Sequence, residues 1–220
     1  MQRRKALLSF ALLCSCGVML ASLGGCSKGA APAASPVVNA AASAATSSAP
    51  STATAQSPPA PSPATQQAYT EASASGVGFT VGPVMAANEV IIFFDPQCPH
   101  CGALWGASKP LLDKVKMRWV PVGFLRPQST PQGALLLAAP DPMALMDEHE
   151  SSLLDRKGGL QVPQQLDDEL LDKVKANTQL LRKLGADSVP FILFRNARTG
   201  AYDNHVGGVS TEQLAEMLGL

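Results

Sequence analysis

The chain has 220 residues, 46% of them hydrophobic, and its 17 Lys and Arg are balanced by 17 Asp and Glu for a formal net charge of zero. That balance argues against a nucleic-acid partner, which needs a basic face.

The first residues, MQRRK, are basic, and an apolar stretch from Ala6 to Leu23 leads to the small residues Gly24 and Gly25. Basic, apolar and small in that order describe a secretory signal peptide over residues 1–25. Cys26 follows directly, which resembles a bacterial lipobox, although Gly24 stands where Ala or Ser is commoner. Cleavage before Cys26 makes it the lipidated first residue of the mature chain. The alternative is an uncleaved anchor, because Ala6 to Leu23 is about the minimum length of a membrane span. Either way the remainder faces an oxidising compartment. Ser27 resembles the outer-membrane sorting pattern of some bacteria, so the expected location is the periplasm, with a lipid anchor in the outer membrane.

Residues 26–75 are nearly all Ala, Ser, Thr, Pro and Gln. Such a segment buries too little apolar surface to offset chain ordering, so it is expected to be a disordered tether. As a flexible coil it would span roughly 35–40 Å. Cys14 and Cys16 leave with the signal and Cys26 carries lipid, so Cys98 and Cys101 remain for chemistry.

Residues 76–220 are the size of one domain with one core. Phe79 to Met85 reads as a strand weakened by Gly82-Pro83. Val90 to Phe94 is an apolar, β-branched and aromatic run of the kind that makes a buried strand, and Asp95-Pro96 ends it. Cys98 and Cys101 follow, spaced C-x-x-C at the expected start of a helix. A helix N-terminus presents unpaired N–H groups and partial positive charge, which favours the thiolate of Cys98. His100 can add a charge or a hydrogen bond to the same sulfur, with Pro99 completing the tuning dipeptide. Cys101, one turn along, can attack a mixed disulfide on Cys98 and release the partner. Half a zinc site and a purely structural disulfide are the alternatives. Zinc needs four ligands, and His149 and His205 stand alone in the sequence. Asp95, three residues before Cys98, is a candidate to tune or relay its proton, or else a strand-ending turn residue.

The helix from Pro99 carries Leu104, Trp105, Leu111, Leu112 and Val115, with a kink expected at Pro110 and Trp105 expected in the core. Met117 to Phe124 reads as the next strand. Thr130-Pro131 and Asp141-Pro142 each look like an N-cap followed by proline at the first helical position. The second opens a helix over Met143 to Glu150, and a third runs from about Asp167 to Leu184, closed by Gly185. Core packing is favoured over a substrate surface for Met143, Leu145 and Met146, and the charges of Asp167 to Lys175 read as a solvated face. Val189-Pro190 precedes an apolar strand, Phe191 to Phe194, at the kind of boundary where a cis peptide is built in. Ala201 to Val206 is a pairing strand. Ser210 to Gln213 forms a capping box that opens a last helix with Leu214, Met217 and Leu218 inward.

That order of elements is an α/β thioredoxin-like fold with a helical insertion between the active-site helix region and the strand after Pro190. The stretches FFDPQCPHC, VGFLRPQSTPQGA, AAPDPMALMDEHE and NTQLLRKLGADSVPFI resemble the catalytic domain of the bacterial periplasmic disulfide isomerases of the DsbC/DsbG family, DsbG more closely, over roughly residues 88–220. The resemblance implies that Cys98 is the nucleophile, Cys101 the resolving thiol, and Pro190 a cis-proline abutting the pair. Val189 and Pro190 would then form part of an edge that pairs with a bound substrate strand. It implies exported proteins with cysteines or disulfides as substrates, no cofactor, and a membrane redox partner: a reductase of the DsbD type or an oxidase of the DsbB type.

The sequence departs from that family twice. A low-complexity tether stands where the isomerases have a dimerisation domain, so a monomer is expected. Cys-Pro-His-Cys with Val before the proline is similar to the oxidase DsbA. A tethered isomerase or reductase is therefore the first expectation and a dithiol oxidase the second. The third, from another class, is a non-catalytic lipoprotein that binds thiols or metal.

Overall fold

Five consecutive apolar residues, Val90 to Phe94, leave a strand no polar face, so it must be covered on both sides. The structure, a computed structural model describing residues 63–86 and 88–220, shows how. The strand, β2 (Glu89–Phe94), is central in a five-stranded sheet of order β1-β3-β2-β4-β5. It pairs in parallel with β3 (Lys116–Pro121) and antiparallel with β4 (Phe191–Arg195). The edge strands β1 (Phe79–Val81) and β5 (Tyr202–Val206) run antiparallel to β3 and β4.

The alternation of the strand divides the core in two. Ile92 and Phe94 face α2 (Pro99–Ser108) and α6 (Thr211–Leu218), while Ile91 and Phe93 face α1 (Pro63–Ser75) and α5 (Asp168–Lys183). On the first side Trp119 packs edge-on against Trp105 at 5.1 Å and against Phe94 at 5.4 Å between ring centroids, which seats α2 firmly on the sheet. The crossover from β3 to β4 carries the helical insertion, α3 (Ser129–Ala138) and α4 (Pro142–Leu154) ahead of α5. The fold is the α/β thioredoxin-like one expected.

Several boundaries differ from expectation. The signal peptide, Cys26 and the tether as far as residue 62 lie outside the described residues. The end of the expected tether does not: residues 63–75 form α1. Pro63 opens that helix and no proline follows within it. Tertiary contacts fix it, since Ala72 is fully buried, the Tyr69 hydroxyl donates to Glu89 O at 2.9 Å, and Arg118 donates to Ser73 O at 2.8 Å while pairing with both carboxylate oxygens of Glu89. Glu71 also pairs with Lys183 of α5. No helix among the described residues is long and apolar enough to cross a membrane.

β1 stops at Val81 because Gly82 takes φ +89°. At Pro110 the helix does not kink but ends, α2 giving way to a 3-10 turn over Lys109–Leu111. α3 starts one residue before Thr130, with Gln128 as its N-cap, so Thr130 is not the cap. Asp141 does cap α4 and accepts the Ala144 N–H at 3.0 Å, with Pro142 first in the helix. The Ser210–Gln213 capping box is present on α6. Met146 is fully buried and Leu145 packs against the core, whereas Met143 is exposed. The charges of α5 form the exposed pairs Glu169–Lys173 and Asp172–Lys175.

Candidate redox-active site

The end of β2 delivers the chain into a tight turn. Asp95 accepts the Cys98 N–H on its carbonyl at 2.9 Å and the Gln97 N–H on Oδ1 at 2.9 Å. Its other carboxylate oxygen accepts the N–H groups of Phe124 and Leu125, both at 3.0 Å. Asp95 is fully buried and all of these partners are backbone donors. Its side chain therefore clamps the loop after β3 to the loop before Cys98.

Cys98 is the N-cap of α2, with extended φ −92° and ψ 115°. Its side chain closes no capping hydrogen bond, and the N–H groups of the second and third helical residues, His100 and Cys101, act on the sulfur by their proximity. Pro99 occupies the first helical position, where its missing N–H costs nothing. Cys98 and Cys101 are both free thiols, 4% and 0% exposed. The Cys101 thiol donating to Cys98 Sγ is the largest influence holding the Cys98 pKa down to about 6. Burial opposes it, and the backbone N–H groups of Cys101 and His100 and then the His100 charge assist. His100 is exposed, and its backbone contributes more than its imidazole. Burial first, then Cys98, pushes the Cys101 thiol far up. One sulfur is thus poised as a thiolate and its neighbour is kept protonated, the arrangement required for attack on a disulfide followed by resolution.

The Val189–Pro190 bond is cis. Cys98 Sγ lies 3.6 Å from Val189 O, so residues 91 positions apart in sequence meet at this sulfur. Pro190 O accepts the Gly207 N–H at 2.8 Å, while the Val189 N–H meets no backbone acceptor among the described residues. Val189 is half-buried, and its backbone donor beside Cys98 Sγ can pair with an extended chain.

The insertion braces the cysteine loop through contacts that the sequence reading did not anticipate. Gln97, just before Cys98, donates to Gln132 Oε1 of α3 at 2.6 Å and to Gly158 O at 3.0 Å. Gln132, 1% exposed, donates in turn to Gly158 O and Leu160 O at 2.8 and 2.9 Å. His149 of α4 is buried; its Nε2 donates to Pro96 O at 2.7 Å and its Nδ1 accepts the Leu160 N–H at 3.1 Å, which sets the neutral tautomer. These bonds brace the cysteine loop from the side of the insertion. Trp105 is a core residue, as expected, and its Nε1 donates to Asp147 at 2.6 Å. Among the described residues no cluster of three or more His, Cys, Asp or Glu is arranged to hold a metal ion.

No protein-family model matches the chain. Over 140 residues it is 31% identical to the thiol:disulfide interchange protein DsbG of Pseudomonas aeruginosa, covering 63% of this chain and 54% of that protein. Over 107 residues it is 34% identical to DsbG of Escherichia coli, covering 48% and 42%. The chain thus spans about half the length of the curated relatives it matches. Among solved structures, it resembles a periplasmic thioredoxin-like protein from Salmonella enterica serovar Typhimurium (TM-score 0.53, 17% identity, 69% of this chain and 94% of that one). It likewise resembles the catalytic domain of Proteus mirabilis ScsC (0.52, 18%, 70% and 96%) and Pseudomonas aeruginosa DsbA2 (0.51, 17%, 63% and 91%). The chain is DsbG-like in sequence and thioredoxin-like in fold.

Proposed function

We propose that the protein is a thiol–disulfide oxidoreductase that reduces or isomerises disulfides in exported proteins, acting as a periplasmic monomer held to the membrane by lipid on Cys26. The observation that carries this reading is the pairing of a thiolate-favouring Cys98 at a helix N-cap with a protonated, buried Cys101 one turn along. The Cys98 thiolate attacks a substrate disulfide, the substrate S–S bond breaks, and a mixed disulfide forms as one substrate sulfur departs. Cys101 loses its proton and attacks Cys98 Sγ. The second substrate thiol leaves, and the two electrons gained by the substrate are those lost by the cysteine pair. In isomerisation another substrate thiol displaces Cys98 instead, with no net electron transfer. Val189 and Pro190 would hold the substrate strand, and a membrane reductase of the DsbD type would restore the dithiol. Sequence similarity to DsbG over the catalytic region supports this direction.

A second reading, a DsbA-like oxidase recharged by a partner of the DsbB type, is favoured by the Cys98 pKa near 6. A stabilised thiolate stabilises the reduced form and makes the disulfide more oxidising. The deciding measurement is the redox state of Cys98 and Cys101 in growing cells, by acid quenching, alkylation with a mass tag and gel shift. A mostly reduced pair supports the isomerase or reductase, and a mostly oxidised pair the oxidase. Cys98→Ser abolishes exchange under either reading, and Cys101→Ser accumulates mixed disulfides; their absence would overturn the assigned roles.

A further inference from the structure

Glu150 turns its carboxylate onto the active-site helix, where only a glycine leaves room for it: a β-carbon at Gly102 would collide with Glu150 Oε2. Gly102 donates its N–H to Cys98 O at 3.2 Å, so the carboxylate sits one turn along from the nucleophile. Glu150 forms one wall of a groove of about 600 Å³ lined also by Gln97 and Pro99, the chain neighbours of Cys98, and by Ala103, Leu153, Arg126 and Arg156. Among the described residues no hydrogen-bond donor holds it. Two of the neighbouring titratable groups are otherwise engaged. Asp147, one turn before it on α4, pairs with Lys109 and Trp105, and the imidazole of His149 is bonded to Pro96 and Leu160. Arg126 and Arg156 line the groove without pairing to it, and His100 is exposed on α2.

We propose that Glu150 is the proton donor of the exchange, holding a proton while Cys98 is a thiolate and giving it to the substrate sulfur that leaves into this groove. Two acids that share a poorly solvated site do not both ionise at their ordinary values. Burial, then the Cys98 charge, then Asp147 push the Glu150 carboxyl up to about 7, above the value near 6 at which Cys98 ionises. Once Cys98 Sγ enters a disulfide its charge is gone, and the carboxyl gives up its proton more readily. The balance closes on the enzyme. A Cys98 thiolate, a Cys101 thiol and a Glu150 carboxylic acid, with one substrate disulfide, become the Cys98–Cys101 disulfide, a Glu150 carboxylate and two substrate thiols. One thiol proton comes from Glu150 and the other from Cys101. The inference rests on Cys98 as nucleophile and is independent of the direction of electron flow.

The test separates steps that need a proton from steps that do not. Reduced protein carrying Glu150→Gln is reacted at pH 6.5 with a peptide disulfide whose leaving group is an alkyl thiol, with an aromatic disulfide whose leaving thiolate needs no proton, and with iodoacetamide. The expected result is a roughly three- to tenfold slower first step with the alkyl disulfide only, the size of half to one pKa unit. Gly102→Ala, which evicts the carboxylate without removing its charge, shows the same selectivity. Equal slowing with all three reagents, or none, overturns the proposal. A measurement on the unmodified protein stands independently. The ¹³C carboxyl resonance of Glu150 titrates near 7 in the reduced protein and at least about one unit lower once Cys98 and Cys101 are oxidised; an unchanged midpoint overturns it. Failure of Cys98 to react with any reagent in the unmodified protein would instead overturn the functional reading.

Discussion

Replacing Cys101 by alanine removes the thiol that most strongly favours the Cys98 thiolate while leaving the backbone N–H groups of residues 100 and 101 in place. A hydrogen bond to a charged group contributes roughly 1.5–3 kcal/mol, which corresponds to about one to two pKa units. The Cys98 value should therefore rise from about 6 to between roughly 7 and 8. At pH 7 the thiolate fraction would fall from about nine-tenths to between about a half and a tenth. Cys101→Ser, which keeps a donor of similar reach, should fall between the parent and the alanine variant. The assay is the rate of iodoacetamide alkylation against pH, checked by thiolate absorbance near 240 nm. An unchanged midpoint in Cys101→Ala would mean that the N-cap geometry alone sets the thiolate, and the role assigned to the Cys101 thiol would be wrong.

Asp95→Ala leaves three part-buried N–H groups, those of Gln97, Phe124 and Leu125, without their acceptor. Urea denaturation should show a loss on the order of 1–3 kcal/mol, with the pH midpoint of Cys98 alkylation nearly unmoved; a large midpoint shift without destabilisation would restore a proton-relay role. His149 is held below the usual histidine range chiefly by burial, against the Pro96 carbonyl and the Asp95 charge. The unfolded chain takes up that proton near pH 6.5, so this contribution to stability is complete above about 6.5 and is lost as pH falls towards the lower folded value. Glu150, raised to about 7, acts with the opposite sign, stability from it growing as pH falls below 7, but it is common to both chains being compared. The urea midpoint of His149→Gln should therefore decline less between pH 7.5 and 5 than that of the parent, and parallel declines would refute the assignment. A chain beginning at residue 76 loses α1, including the Tyr69 and Arg118 hydrogen bonds and the buried Ala72. It should be less stable by roughly 2–4 kcal/mol, and an unchanged thermal midpoint would show that α1 is only loosely docked.

The features legible in the sequence are those whose causes lie within a few residues. The apolar run of Val90 to Phe94, the C-x-x-C spacing at a helix start, the Asp141-Pro142 cap and the Ser210–Gln213 box are short-range patterns, and the structure carries them at the expected residues. The cysteine pair was visible for the same reason, since Cys98 and Cys101 differ in environment because one caps the helix and the other lies a turn inside it. Residues 63–75 were misread because their composition is that of a disordered segment; the helix depends on Glu89, Arg118 and Lys183, which lie far along the chain. Asp95 has its donors at 124 and 125, Gln97 meets Gln132, and His149 bridges Pro96 to Leu160. Local propensity and spacing therefore determined the cysteine pair, the helix that carries it and the succession of elements along the chain. Only tertiary packing decided what braces the cysteine loop and which carboxylate stands beside it, because burial and charge proximity, the two quantities that move a pKa, are set by residues distant in the chain, such as Phe124 for Asp95 and Pro96 for His149, 29 and 53 positions apart.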